Sequence, residues 1–156
     1  TELGFNYRLT DIQAALGASQ LTRLQESVSR RNEIAATYKS LLSAAFGTET
    51  VRPLATLPRL SHGYHLYVVR IDFPAFNRTR AAVIGSLRKS GVGTQVHYIP
   101  VPCQPYYRER YHTRPGDFPM AESYYAQALS LPMYPGLSDD DVSYVVASLE
   151  AALRGR

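Results

Sequence analysis

The sequence predicts an α/β chain in which a long lead helix precedes a small α+β domain. Three observations support this prediction. Residues 11–45 are rich in Ala, Leu, Gln and Glu and contain no proline, which favours one long helix. Two runs rich in β-branched and aromatic residues, 65–72 and 94–99, flank a helical run at 79–90. A capping sequence at Ser138 then begins a final amphipathic helix.

The lead helix carries a start signal and an apolar stripe. Thr10 or Asp11 can cap its first turn. Gly17 lies inside the helix, where glycine costs about 1 kcal/mol relative to alanine, so we expect close packing there. The stripe at three- and four-residue spacing consists of Leu21, Leu24, Val28, Ala35, Tyr38 and Leu42.

The remaining segments are predicted from breakers and periodicity. Residues 47–63 contain prolines that break regular structure, so we predict a loop there. Residues 100–119 form a segment rich in proline and tyrosine. A short helix is predicted over 120–129 and an extended piece over 131–134. The buried face predicted for the last helix is Val142, Val145, Val146, Leu149 and Leu153.

Composition limits the classes of function. With 45% hydrophobic and 19% charged residues, the 156-residue chain is typical of a folded domain. The net charge is +4, but the arginines are scattered without a dense block, which argues against a nucleic-acid partner. No run of about 18 apolar residues predicts a membrane span. Cys103 is the single cysteine, and the four histidines lack metal-ligand spacing, so we expect a reducing cytoplasm and no metal site.

The opening loop is the first candidate site. Asn6 offers amide donors, and Arg8 offers a guanidinium fork that can grip a phosphate at two oxygens. A following helix N-terminus adds positive potential and free backbone amides. The alternative from local chemistry is that Arg8 pairs with an acid while Asn6 stabilises the turn.

The end of the second predicted strand is another candidate. His97 can donate to a phosphate, a carbonyl or a sugar hydroxyl, and Tyr98 follows it directly. Strand geometry would place the two side chains on opposite faces. The alternative is that His97 is a half-buried histidine bonded to backbone. The nearby run 104–107, QPYY, adds aromatic rings suited to a sugar, a nucleotide or an interface.

Four ordered stretches resemble the DegT/DnrJ/EryC1/StrS family of sugar aminotransferases, which use pyridoxal 5′-phosphate. They are residues 4–17 (GFNYRLTDIQAALG), 64–70 (YHLYVVR), 91–101 (GVGTQVHYIPV) and 129–138 (LSLPMYPGLS). The first matches the family signature almost word for word. The resemblance covers nearly the whole chain.

The resemblance implies the C-terminal part of an aspartate aminotransferase-type (fold type I) enzyme. Residues 1–45 would form the cofactor-phosphate loop and connecting helix, and residues 46–156 the small α/β domain. The large cofactor-binding domain, with its Schiff-base lysine, is expected upstream. Asn6 and Arg8 would bind the phosphate of the neighbouring subunit's pyridoxal 5′-phosphate in a homodimer formed through the opening loop and long helix. His97 and Tyr98 would contact the substrate.

The implied function is transfer of an amino group from an amino-acid donor to a nucleotide-linked keto sugar. Such reactions supply amino sugars for surface polysaccharides or secondary metabolites. Neither Lys39 nor Lys89 has the context of the family's Schiff-base lysine, so this segment alone is expected to be inactive. Pro102 stands where the family loop commonly has histidine, which affects substrate choice. Two alternatives remain, a deoxysugar dehydratase of the same family and a non-catalytic binding or dimerisation module.

Overall fold

The computed structural model describes residues 4–5, 7–57 and 61–155. Its helices and strands are α1 (Asp11–Leu21), α2 (Leu24–Phe46), β1 (Val51–Pro53), β2 (Tyr67–Ile71), α3 (Arg80–Lys89), α4 (Pro105–Tyr111), α5 (Pro119–Gln127), β3 (Ala128–Leu131) and α6 (Asp139–Arg154). Two short 3₁₀ turns occur at Pro74–Phe76 and Val101–Cys103. The predicted α/β class with a leading helical segment is confirmed.

The three strands form an antiparallel sheet in the order β1-β2-β3. Val51 pairs with Ile71 at one side, and Tyr67 pairs with Leu131 at the other. Beyond β3, Gln95 and Ser130 form a single bridge pair. This bridge places the segment around residue 95 along the outer edge of β3.

One face of β2 supports the core. Tyr67, Val69 and Ile71 are buried, as period-2 alternation requires. Helix α6 packs against α2 and α3 around this face. The helical members of the core include Ile34, Ala35, Tyr38, Leu42, Val83, Leu87, Val142, Val145, Val146, Leu149 and Leu153. The predicted buried face of the last helix is therefore confirmed.

Two tyrosines join helix α2 to the sheet. The rings of Tyr38 and Tyr67 stack with centroids 4.8 Å apart. The Tyr38 hydroxyl donates to the carbonyl of Pro132 at 3.0 Å, and the Tyr67 hydroxyl to the carbonyl of Ala35 at 3.5 Å. Burial raises the pKa of both phenols, because the charged phenolate loses its hydration there. Both rings remain neutral packing elements at physiological pH.

The prediction of one unbroken helix over residues 11–45 is wrong, since the helix breaks at Thr22–Arg23. The hydroxyl of Thr22 donates to the carbonyl of Ser19 at 2.8 Å, and the amide of Arg23 turns back to the carbonyl of Gln20. A side chain that bonds nearby backbone offers an alternative to the helical ladder. The predicted cap at Thr10 is confirmed as a capping box with Gln13.

Helix α1 packs against no other part of the described structure. All its residues are exposed, including Ile12 at 83% and Leu16 at 61%. A Cβ at Gly17 would meet nothing within 4 Å, so the expected close packing there is not found in this chain. Leu21 and Leu24 of the predicted stripe are also exposed. The apolar stripe is buried only in the second half of α2.

The predicted strand over 94–99 is also wrong, because only the pair Gln95–Ser130 forms. An antiparallel ladder would next bond residue 93 with Pro132 and His97 with Ala128. Proline has no amide hydrogen to donate. The carbonyl of Ala128 instead accepts from Arg80 Nη1 at 3.4 Å. Pro132 therefore cannot complete the next pair on one side, while on the other side the Ala128 carbonyl has a side-chain donor.

Three further differences concern short elements. Strand β1 lies within the segment predicted as loop, and its three residues are too few to show a period. Helix α4 begins with Pro105 at its first position, where proline is tolerated, inside the segment described by composition alone. Strand β3 lies at 128–131 instead of 131–134, because its fully buried apolar run has no alternation.

Removing a core leucine should destabilise the chain far more than removing a leucine of α1. Leu149 is fully buried, so Leu149→Ala is expected to lower the free energy of unfolding by about 2–5 kcal/mol. The matched control Leu16→Ala should change it by less than about 0.5 kcal/mol. Urea denaturation followed by circular dichroism measures both. Equal losses in the two variants would contradict this packing.

The N-terminal cap of α6 should contribute pH-dependent stability. The Ser138 hydroxyl donates to the Asp141 carboxylate at 2.6 Å, and the Ser138 amide donates at 3.1 Å. These two bonds, the hydroxyl first, lower the pKa of Asp141. Because the pKa of Asp141 is lower in the folded state, its ionised carboxylate stabilises the fold at pH values above its ordinary pKa of 3.8. This stabilisation is lost as the pH falls through the lowered pKa.

We expect Ser138→Ala to lower the free energy of unfolding by about 1 kcal/mol at neutral pH. Its difference from the parent should shrink as the pH falls below 3.8, because Asp141 becomes protonated. Ser143→Ala, a serine substitution within the same helix, is the control and should have little effect. Denaturant unfolding at several pH values makes the measurement, and a constant difference across that range would refute the assignment.

Candidate functional site

His97 lies beside β3 and is held by a serine of that strand. Its Nδ1 is 2.8 Å from the hydroxyl oxygen of Ser130. The imidazole is half-buried, whereas Ser130 is only 5% exposed. The partner of His97 is therefore a buried side chain, and the alternative of a histidine bonded to backbone is not what the structure has.

Tyr98 does not lie on the opposite side of a strand from His97, because these residues form no strand. The two rings meet edge to face, with centroids 4.7 Å apart and planes at 82°. Tyr98 is 73% exposed. The structure thus brings the two predicted residues together, with a buried anchor behind His97 and an open phenol beside it.

The loop that follows is held by bonds to its own neighbours. The Gln104 amide donates to the carbonyl of Ile99 at 3.3 Å. The Thr113 hydroxyl donates to the carbonyl of Pro102 at 2.6 Å. Pro102 lies in the 3₁₀ turn Val101–Cys103, and its side chain offers no hydrogen-bond donor.

Helix α4 presents an aromatic and basic surface next to this loop. Tyr106 and Tyr107 pack edge to face at 5.2 Å, and the guanidinium of Arg110 lies 5.8 Å from the Tyr111 ring centroid. These four residues are exposed. Aromatic faces and cations at a surface suit a sugar ring, a nucleotide base or a phosphate.

The opening loop lies apart from this group. Arg8 is exposed and has no hydrogen bond or ion pair with any part of the chain that the structure describes. An internal acidic partner is therefore absent within residues 4–5, 7–57 and 61–155. Asn6 lies outside the described residues. The structure records no ring contact, hydrogen bond or ion pair between Arg8 and either His97 or Tyr98.

Two clefts elsewhere contain none of the predicted site residues. A cleft of about 430 Å³ between α2 and the loop after β1 is lined in part by Lys39, His62 and Tyr64. Another of about 450 Å³ lies beside α6 and includes Tyr134 and Tyr144. Over the described ranges, no group of His, Cys, Asp or Glu side chains could hold a metal ion. None of the helices described is long and apolar enough to cross a bilayer.

Ser130 is the residue that sequence reasoning missed. It lies inside a strand whose other residues are apolar, so a lone serine in the run 128–131 was the available signal. Buried hydroxyls need hydrogen-bond partners, which makes such a serine a candidate anchor for a nearby polar group. The sequence could not show which group it anchors, since His97 is 33 residues away.

Comparisons of the sequence with known proteins match nearly the whole chain to one family of aminotransferases. The profile of the DegT/DnrJ/EryC1/StrS aminotransferase family matches residues 1–150. The spore coat polysaccharide biosynthesis protein SpsC of Bacillus subtilis (strain 168) is 39% identical over 153 residues, which cover 97% of this chain and 39% of SpsC.

Solved structures give the same relationship. Helicobacter pylori PseC, an aminotransferase involved in the biosynthesis of pseudoaminic acid, superposes with a TM-score of 0.86 at 29% identity and covers 100% of this chain and 40% of its own. The PLP form of the putative sugar aminotransferase Spr1654 from Streptococcus pneumoniae has a TM-score of 0.81 at 27% identity, covering 95% and 36%.

The chain thus spans about two fifths of the length of these relatives. The fold likeness places it within fold type I aminotransferases, as the sequence motifs predicted. Because the profile match extends through nearly every element from the opening loop to α6, the chain belongs to the DegT/DnrJ/EryC1/StrS aminotransferase family.

Proposed function

We propose that this chain is the small-domain segment of a pyridoxal 5′-phosphate-dependent enzyme that aminates nucleotide-linked keto sugars. The observation that carries the proposal is the match of the family profile to residues 1–150 of this chain, a range that includes the loop with Asn6 and Arg8. A relative named for polysaccharide biosynthesis and another for pseudoaminic acid biosynthesis support a sugar substrate. We infer the cytoplasm as its compartment, and amino-sugar supply as its role.

The second part of the proposal is a homodimer formed through the opening loop and helix α1. Leu9, Ile12 and Leu16 are more than half exposed, and Phe5 and Tyr7 are exposed with them. Exposed apolar side chains that are grouped on one segment are typical of a surface that another protein surface covers. A second copy would cover this segment and bring Arg8 toward the neighbouring cofactor site.

The residues of this chain fit the cofactor's phosphate chemically. The guanidinium of Arg8 has no competing acid among the described residues, so its fork is available to two phosphate oxygens. The negative charge of Asp11, in the first turn of α1, offsets part of the positive potential at the N-terminus of the helix. The Arg8 guanidinium should therefore attract the phosphate more strongly than the helix end does. When bound, the cofactor supplies an electron sink for amino-group transfer.

His97 and Tyr98 would orient the sugar nucleotide. An imidazole and a phenol with rings 4.7 Å apart can donate to neighbouring oxygens of one ligand. The exposed tyrosines of α4 provide a nearby surface for a ring to stack on. In this arrangement the present chain binds and orients the sugar nucleotide, while the Schiff-base lysine expected in the large domain would carry the proton transfers.

Arg8 can be tested in the complete protein that contains this segment. Arg8→Ala is expected to weaken pyridoxal 5′-phosphate binding by about 10- to 150-fold, since a hydrogen bond to a charged group contributes about 1.5–3 kcal/mol. Arg8→Lys keeps the positive charge without the guanidinium fork, so its cofactor affinity should lie between those of the parent and Arg8→Ala. Titration followed by absorbance gives the affinities, and sedimentation reports the dimer.

Arg52→Ala is the matched control, because Arg52 is an exposed arginine on strand β1. It should leave cofactor affinity unchanged. If Arg8→Ala also bound the cofactor as the parent does while remaining dimeric, the assigned role of Arg8 would be wrong.

The reaction class is tested with [¹⁵N]glutamate and a nucleotide-linked keto sugar. Amination predicts ¹⁵N in the sugar nucleotide, detected by mass spectrometry. Loss of the mass of water without nitrogen uptake would instead identify the deoxysugar dehydratase. Failure to bind pyridoxal 5′-phosphate in the complete protein would leave the non-catalytic binding module.

A further inference from the structure

Ser130 is a buried polar residue on strand β3, where it is 5% exposed. Its backbone amide donates to the carbonyl of Gln95 at 2.8 Å, and its carbonyl accepts from the Gln95 amide at 3.2 Å. Its hydroxyl reaches His97 Nδ1 at 2.8 Å. The serine therefore fixes both the backbone before His97 and the imidazole itself.

The direction of the hydrogen bond follows from what the hydroxyl can reach. Ser130 Oγ has no other hydrogen-bond partner within the described ranges. If Nδ1–H donated to Oγ, the buried hydroxyl proton would have no acceptor, which is costly. If the hydroxyl donates to a bare Nδ1, both the buried hydroxyl proton and Nδ1 have a partner. The proton of the neutral imidazole then lies on Nε2.

We propose that Ser130 is a positioning residue that holds His97 in the tautomer bearing its proton on Nε2. The ring is restrained at Nδ1 by the serine and at one side by the edge-to-face contact with Tyr98. Nε2 makes no hydrogen bond to any described residue. It is thus a fixed donor for a ligand oxygen, either a sugar hydroxyl or a phosphate of the nucleotide sugar.

The tautomer and the orientation stand on the geometry of the chain, and only the identity of the ligand rests on the proposed function. An Nε2–H donor selects an oxygen acceptor and disfavours a ligand N–H group at the same point. The ketone or hydroxyl oxygens of a sugar and the oxygens of a diphosphate share this acceptor chemistry.

The tautomer is measured by ¹⁵N NMR of the 156-residue chain labelled at histidine, above the pH at which the imidazoles are protonated. His97→Gln assigns the signals of His97 among the four histidines. We expect the parent to show a protonated Nε2 and a bare Nδ1 for His97. A proton on Nδ1 in the parent would overturn the proposal without need of any further variant.

Ser130→Ala and Ser130→Thr separate positioning from packing. Without the hydroxyl, His97 should become a mixture of tautomers, whereas threonine keeps a hydroxyl and should restore the Nε2–H form. Circular dichroism checks that each variant folds. A folded Ser130→Ala variant with an unchanged His97 tautomer would also overturn the proposal.

The complete enzyme provides the functional arm. Ser130→Ala should raise the KM for the nucleotide sugar about fivefold to tenfold, as expected for one misplaced hydrogen bond, and leave cofactor affinity unchanged. Ser130→Thr should recover the lower KM. An unchanged KM in a folded Ser130→Ala variant would refute the positioning role. An enzyme without sugar aminotransferase activity would overturn the proposed function, while the NMR result would still decide the tautomer.

Discussion

The backbone pairing between Gln95 and Ser130 connects the fold to the candidate site. It is a single pair, yet it fixes the loop carrying His97 against the outer edge of β3. Strand β3 is itself fully buried and paired along its other edge with β2, so the loop is attached to a buried and hydrogen-bonded strand. A site on such a support keeps its geometry better than one on a free loop.

The core behind that edge depends on β2. Its buried face contacts helix α2 through the stack of Tyr38 on Tyr67, and α6 closes over the same cluster. Helix α2 follows the exposed α1 after two residues, Thr22 and Arg23, and its own residues 24–26 are exposed as well. The buried residues of α2 begin at Ile34, so the packed part of the chain begins within this helix.

Much of this fold is predictable from local sequence. The start of α6 at Ser138, the cap at Thr10 and the buried face of the last helix follow from side-chain chemistry within one or two turns. Short elements were not predictable, since three residues of β1 or four of β3 are too few to show a period. The strand expected at 94–99 is reduced to the pair Gln95–Ser130, and the next partner on one side is Pro132, a residue distant in sequence that has no amide hydrogen.

The candidate site residues came from local chemistry and from the motifs. His97, Tyr98 and Arg8 carry polar groups that the motifs single out, and their roles stay predictions. The contact with Ser130 joins residues 33 positions apart and depends on the bridge, so no local pattern shows it. Asn6 and Arg8 were assigned from the resemblance, and that assignment stays a prediction.

The separation of the two groups of site residues suggests how the complete protein is organised. His97 is anchored to the sheet, whereas Arg8 precedes a helix that is exposed along its whole length. Within one chain, nothing described brings them together. If both contribute to the reaction as we propose, the His97 and the Arg8 of one copy would serve different active sites of a dimer. Each copy would then present His97 to the sugar nucleotide in one site and Arg8 to the cofactor phosphate in the other.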